Sequence, residues 1–205
     1  MISVLRTPQT ADLRVTRRRF VSILSGVPRS GTALTMRMLE VGGLPVLYDN
    51  KREADIDNPL GYYDYDAIKT LSSDSSWIAL LKGVGVKIAC PLVYHLPTRI
   101  EYRVLLMHRN INEVLASQNA MLERSGKAVL NNEETLARMF RIDLAKFANW
   151  VRDQPNFRLL NVDYNAMVAE PEPIVAEIDH FLGGGLDIDA MASTVDASLY
   201  RNRAE

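Results

Sequence analysis

The stretch FVSILSGVPRSGTALTMRMLEV, residues 20–41, constrains the fold more than any other. An apolar run of strand length stops at Gly26. A bend with Pro28, Arg29 and Gly31 follows, and Leu34, Met38 and Val41 then recur at helical spacing until Gly42 and Gly43 end the helix. A strand that passes through a glycine bend straight into a helix aims successive backbone N–H groups into one concavity. The helix N-terminus adds partial positive charge there, so the loop is built to hold an anion. Gly26 and Gly31 have the spacing of a GxxxxG phosphate loop. Thr32, however, stands where the lysine that clamps a nucleoside triphosphate belongs, and Arg29 lies three residues earlier.

The rest of the chain alternates in the same way. VGVKIAC (84–90), YRVLLMH (102–108) and NFRLLNV (156–162) read as further strands. INEVLASQNAMLER (111–124), a longer helix over 131–154 and PEPIVAEIDHFLGGG (171–185) read as helices. Leu136, Met139, Phe140, Leu144, Phe147 and Val151 form the apolar stripe of the long helix, and Asn132 suits its first turn. Residues 44–63 read as one long polar connection, and YDAIKTL as a short helix. This alternation predicts an α/β three-layer sandwich around a mostly parallel sheet of four to five strands, of the phosphate-loop nucleotide-binding type. No repeat or linker divides the chain. It is expected to form a single domain over 1–205, with an irregular segment at 1–19 in which Arg17, Arg18 and Arg19 are solvated.

The 205 residues are 47% hydrophobic and 24% charged, with a formal net charge of −1. That balance argues against bulk binding of a nucleic acid, while leaving room for a local site for one small anion. The single cysteine, Cys90, excludes an internal disulfide and reads as a buried small residue. There is no apolar run of membrane-spanning length and no signal-peptide pattern, so a soluble, cytoplasmic protein is expected. No strand ends in the apolar-apolar-Asp pattern that helps to hold Mg²⁺, which makes a magnesium-dependent kinase a poor fit. A second anion-binding pair follows the third strand. Arg109 lies at the strand's end, and Ser117 comes eight residues on in the next helix, just over two turns at about 3.6 residues per turn. An arginine fork and a hydroxyl suit one further phosphate. Together the loop and the pair suggest a ligand with two separate phosphate groups.

These residues carry a resemblance. Pro28-Arg29-Ser30-Gly31-Thr32 is similar to the PRSGTT loop, and Arg109 with Ser117 to the Arg/Ser pair, of sulfotransferases that use 3'-phosphoadenosine 5'-phosphosulfate (PAPS). VDYNAMVAEPEPIVAEIDHFLG is similar to the family's usual late strand, Tyr, helix and Phe-Leu-Gly, READIDNPLGYY and SLYRNR resemble bacterial members, and the likeness covers about residues 20–203. Ala33 replaces the second threonine of PRSGTT, and the KGxxGDW segment of the eukaryotic cytosolic enzymes is absent. The resemblance implies that Pro28, Arg29, Ser30, Gly31, Thr32 and Ala33 hold the 5'-phosphosulfate, and that Arg109 and Ser117 hold the 3'-phosphate. It implies PAPS as co-substrate without a metal, since charge builds mainly on the leaving phosphate and the bridging oxygen. Arg29 then stands beside that bridge as a preorganised cation.

The base that takes the acceptor's proton is read as Glu53, by likeness to the tyrosyl-protein sulfotransferases, with Asp55 and Asp57 as rivals in the same loop. His95 is the alternative, by likeness to the cytosolic enzymes. His108 reads as a neighbour of the phosphate site and His180 as packed. Lys87 suits either the sulfonate or a carboxylate, and Tyr62, Tyr63 and Trp77 suit either a pocket or the core. The acceptor is a small molecule or a peptide, its class open among lipid, sugar, phenol, amine and tyrosine, and the oligomeric state is open too. Two other readings stand beside the enzyme: a non-catalytic phosphonucleotide binder of the same fold, and a divergent phosphate-loop kinase.

Overall fold

The computed structural model describes residues 18–129 and 132–196. The SLYRNR ending and the expected irregular segment up to residue 17 lie outside them. The described residues form one five-stranded sheet in the order β2-β3-β1-β4-β5 with every pairing parallel. The strands are β1 (Val21–Gly26), β2 (Val46–Leu47), β3 (Gly85–Lys87), β4 (Tyr102–His108) and β5 (Phe157–Asp163). The helices are α1 (Thr32–Val41), α2 (Cys90–Val93), α3 (Ile111–Arg124), α4 (Glu133–Arg152), α5 (Tyr164–Ala169), α6 (Pro171–Phe181) and α7 (Ile188–Ala192). Two short 3₁₀ segments, Asp66–Thr70 and Ser76–Leu81, lie between β2 and β3.

Side chains alternate across the sheet, so β1 and β4 feed two cores. Val21, Ile23, Tyr102, Val104 and Leu106 face α4, α2 and the 3₁₀ segments, meeting Phe147, Val151, Val93 and Ile78. Leu24, Leu105 and Met107 face α1, α5, α6 and α7, meeting Met36, Leu39, Met167, Ile178 and Met191. Strands buried on both faces read as continuous apolar runs, which is why β1 and β4 stand out in the sequence.

Several expectations need correction. The connection from residue 44 is not wholly irregular, because Val46 and Leu47 are fully enclosed and pair with Gly85 and Val86 as an edge strand. β3 ends at Lys87, and Cys90 opens α2 with a proline in its first turn. Met139 is half exposed and Ala137 buried, since Met139 lies roughly 100° round the helix from the middle of the stripe. Arg18 is buried rather than solvated, with Nε donating to the Leu182 carbonyl (2.6 Å) and Nη2 to that of Gly184 (3.0 Å). His180 is exposed in the last turn of α6.

The sheet order determines where a ligand fits. From β1 the chain moves toward β2 and β3, and from β4 toward β5. The loops leaving the C-terminal ends of β1 and β4 therefore diverge, and open parallel sheets hold ligands in the crevice at such a switch point. Arg29 leaves β1 there and Arg109 leaves β4.

Candidate functional site

The loop between β1 and α1 is held by two glycines and a serine. Gly26 has φ 155°, and a Cβ on it would stand 2.6 Å from Ser30 Oγ. Gly31 has φ 97°, and a Cβ there would reach within 2.2 Å of the Tyr164 ring, so no other residue fits. Ser30 is fully buried and donates its hydroxyl to the Val27 carbonyl at 2.7 Å, which closes the bend from inside. Gly31 supplies no side chain to cap α1, and no acidic residue stands in the first turn, so the leading N–H groups of Thr32, Ala33 and Leu34 open into the cleft.

Arg29 takes the left-handed conformation, φ 66°, which costs a non-glycine residue on the order of 1 kcal/mol. Its side chain crosses to α3. Nε donates to Ser117 Oγ at 3.0 Å and Nη2 to the Asp57 carbonyl at 2.8 Å. Burial lowers the pKa of the guanidinium from its ordinary value, against the charge of nearby Asp57. The structure therefore brings Arg29 and Ser117, assigned to separate phosphates, into direct contact.

Arg109 is held from three sides. Nε donates to Glu113 Oε2 at 3.0 Å, Nη1 donates to the Arg29 carbonyl at 3.1 Å, and the guanidinium lies 4.6 Å from the Tyr164 ring centre. The Arg109 and Glu113 side chains are only 7% and 3% exposed, so this is a buried ion pair. Asn165 Nδ2 donates to both Glu113 oxygens at 3.1 and 3.2 Å, filling lone pairs that burial would otherwise strand. Sequence reasoning missed Glu113 and Asn165. The i, i+4 spacing of Arg109 and Glu113 at a helix start was the signal for the first. Asn165 follows β5 and left no local sign.

The segment after β2 forms the opposite wall. Arg124 Nε donates to Asp57 Oδ1 at 2.9 Å, tying the segment to the end of α3. The Tyr62 hydroxyl donates to both Asp55 oxygens at 2.8 and 2.7 Å, and Arg52 lies 3.3 Å over the Tyr62 ring. Burial, then the hydrogen bond to Asp55, pushes the Tyr62 phenol up to about 12. Burial alone would raise Asp55. The bonds from Tyr62 and from the Asn58 and Asp57 backbones outweigh it and hold the carboxylate below its ordinary value. Lys87, at the end of β3, donates to the Tyr62 carbonyl and pairs with Asp64 at 2.6 Å.

Together these elements enclose a cleft of about 320 Å³. Pro28, Arg29, Gly31, Thr32, Ala33, Arg109 and Ser117 all line it, with Asp57, Tyr62, Asp64 and Lys87 across from them. Neither expected base does. Glu53 is exposed and lines a neighbouring hollow, and His95 is exposed beyond α2 and lines neither. His108 Nε2 pairs with Asn161 Oδ1 at 2.8 Å, away from the cleft. Trp77 packs edge-on against Tyr65 beside the core. Cys90 is buried against the Ser25 hydroxyl.

No protein-family model and no curated protein matches the sequence. Solved structures do match. The chain is similar to the sulfotransferase domain from the Synechococcus PCC 7002 olefin synthase, with 14% identity, 98% of this chain and 84% of that one covered, and a TM-score of 0.54. The sulfotransferase domain from the curacin biosynthetic pathway matches at 14% identity over 89% of each chain with a TM-score of 0.49. A sulfotransferase from Alicyclobacillus acidocaldarius matches at 13% identity over 91% of this chain and 97% of that one, with a TM-score of 0.47. At such identity the first of these bears on fold alone, and the other two superpose too loosely to add to it. The chain has a sulfotransferase-like fold, a single parallel sheet flanked by helices.

Proposed function

We propose that the chain is a PAPS-dependent sulfotransferase that moves a sulfuryl group in line to a hydroxyl or amine acceptor without a metal. The observation that carries the reading is the convergence of Arg29, Arg109 and Ser117 on one cleft at the mouth of an uncapped helix. On this reading the loop Pro28–Ala33 takes the 5'-phosphosulfate, with N–H groups from Gly31 onward as its backbone donors, and Arg109 with Ser117 takes the 3'-phosphate. The 3'-phosphate claims the Ser117 hydroxyl, so Arg29 Nε turns to the bridging oxygen, where charge grows as the sulfuryl leaves. A sulfuryl group carries less charge than a phosphoryl group, so arginines and backbone dipoles answer for what Mg²⁺ does in kinases.

We also read residues 1–205 as one domain of a cytoplasmic, bacterial protein whose acceptor is a small molecule or a peptide. Among the described residues, no helix is long and apolar enough to cross a membrane. A second reading, a non-catalytic binder of the same nucleotide, is favoured by one observation: Glu53 and His95 both lie outside the cleft.

Calorimetry in the presence of a chelator tests the donor site. Adenosine 3',5'-bisphosphate is expected to bind more tightly than AMP, and Ser117→Ala to narrow the gap. A charge-assisted hydrogen bond of about 1.5–3 kcal/mol corresponds to roughly ten- to a hundredfold in affinity. Equal affinities for the two nucleotides would overturn the two-phosphate reading. Labelled sulfate transfer from PAPS then separates the enzyme from the binder.

A further inference from the structure

Next to the donor cleft lies a second hollow of about 460 Å³, with Glu40, Tyr48, Glu53 and Tyr63 in its lining. The two spaces share one wall, formed by Arg52, Pro59, Leu60, Tyr62 and Asp64. Asp64 is the single carboxylate among these five. It is half exposed, and Lys87 fixes it from the donor side. Lys87 is level with Leu24 on β1, the strand that runs into the loop, and both Lys87 and Asp64 line the cleft into which that loop opens.

None of the neighbouring carboxylates stands on the shared wall. Glu40 accepts from Arg37, Tyr48 and Tyr63. Asp49 accepts from the Lys51 and Asp66 backbones, Asp55 from Tyr62, and Asp57 from Arg124. Glu53 lines only the second hollow, and Asp196 only the first. The lining of the second hollow sets four carboxylates, Glu40, Asp49, Glu53 and Asp64, against Arg37 and Arg52, so its excess of negative charge disfavours an anionic acceptor, and hydroxyls and carboxylates outnumber apolar groups there.

Resting on the sulfotransferase reading, we propose that the second hollow is the acceptor site, that it takes a hydroxyl-bearing molecule without negative charge, and that Asp64 is the general base. The acceptor hydroxyl enters through the shared wall. Its proton passes to an Asp64 oxygen while its own oxygen bonds to the sulfur. The bond from sulfur to the bridging oxygen breaks, and its electron pair stays on the phosphate of the departing adenosine 3',5'-bisphosphate. Lys87 holds the carboxylate in line across the cleft.

The test uses PAPS, labelled in the sulfuryl group, with two acceptor probes: methyl glucoside, whose hydroxyls need a base, and 4-nitrophenol at mildly alkaline pH, already a phenolate. Asp64→Asn is expected to lose about 10²-fold or more in kcat with methyl glucoside and only a few-fold with 4-nitrophenol. Its affinity for the bisphosphate is expected to stay within a few-fold of the wild type. Ala54→Trp, on an exposed residue lining the second hollow, is expected to raise KM for methyl glucoside and leave bisphosphate affinity unchanged. Equal losses with both acceptors would make Asp64 a positioning residue and overturn the assignment. So would a selective loss in Glu53→Gln with Asp64→Asn active. Transfer to 4-nitrophenol alone by the wild type, or to neither probe despite bisphosphate binding, would overturn the acceptor class. Failure to bind the bisphosphate at all would instead remove the sulfotransferase reading beneath it.

Discussion

Arg109 is held by a buried carboxylate and an aromatic ring, whereas Arg29, whose carbonyl Arg109 grips, is held by one hydroxyl and one carbonyl beside the cleft. The same contrast extends to the walls around them. The side built from β4, α3 and α5 is closed and internally satisfied by Glu113, Asn165 and Tyr164. The side built from residues 50–64 is largely exposed, and half-exposed ion pairs such as Arg124–Asp57 and Lys87–Asp64 hold it. A group that must bind the same anion in every cycle benefits from being fixed. A group that must respond as charge develops benefits from having partners it can leave. On the proposed function the difference separates affinity from turnover, and substitutions on the two sides should separate them too.

The largest effect is expected on the rigid side. Arg109→Ala leaves Glu113 buried without its cation and should cost about 3–5 kcal/mol, read from urea unfolding. Replacing both partners, as Arg109→Met with Glu113→Leu, should restore most of that stability while bisphosphate binding stays lost. Recovery of binding as well would show that the pair shapes the fold and leaves the anion to others. Arg29→Ala comes next: unfolding nearly unchanged, bisphosphate affinity within about tenfold, and kcat down on the order of 10²–10³. A collapse in affinity with kcat per bound complex preserved would place Arg29 on the same footing as Arg109 and erase the contrast.

Smaller effects belong to the open wall. The Arg124 side chain is 44% exposed, so Arg124→Ala should cost under about 1 kcal/mol, less at high salt, and hasten amide exchange near Asp57. The smallest concerns Asp66, whose carboxylate the hydrogen bonds from Lys51 and Lys69 lower to about 2. Its contribution to stability is present above the ordinary carboxylate range and is lost as pH falls toward about 2. Asp66→Asn should slightly flatten the acid limb of a pH–stability curve in that window alone.

What the sequence revealed follows from the range of each interaction. β1, α1, β4 and α3 are legible because a strand buried on both faces, or an apolar stripe at helical period, marks every residue it contains. Gly26 and Gly31 are legible because the loop's backbone admits little else. Val46–Leu47 hides because two residues carry no period, and only their pairing with β3 makes them a strand. Glu53 drew attention as a carboxylate in the expected loop, but position along a loop does not specify which wall a side chain lines. Asp64 became visible only when folding set Tyr62 and Asp64 between two hollows. Asn165 and Tyr164 meet Glu113 and Gly31 across more than fifty residues, beyond any local pattern.

The ring of Tyr164 fills the space above Gly31 and lies beneath Arg109, and Asn165 completes Glu113. The phosphate loop, encoded early in the chain, is thus finished by residues translated long after it. A ribosome-bound chain that has exposed β1 through α4 carries every group proposed to bind the anion but lacks the platform that orients them. On the proposed reading, nucleotide recognition therefore arises late in synthesis, once β5 docks beside β4 and brings α5 over the loop. Ligand affinity in this architecture reports the completion of the sheet.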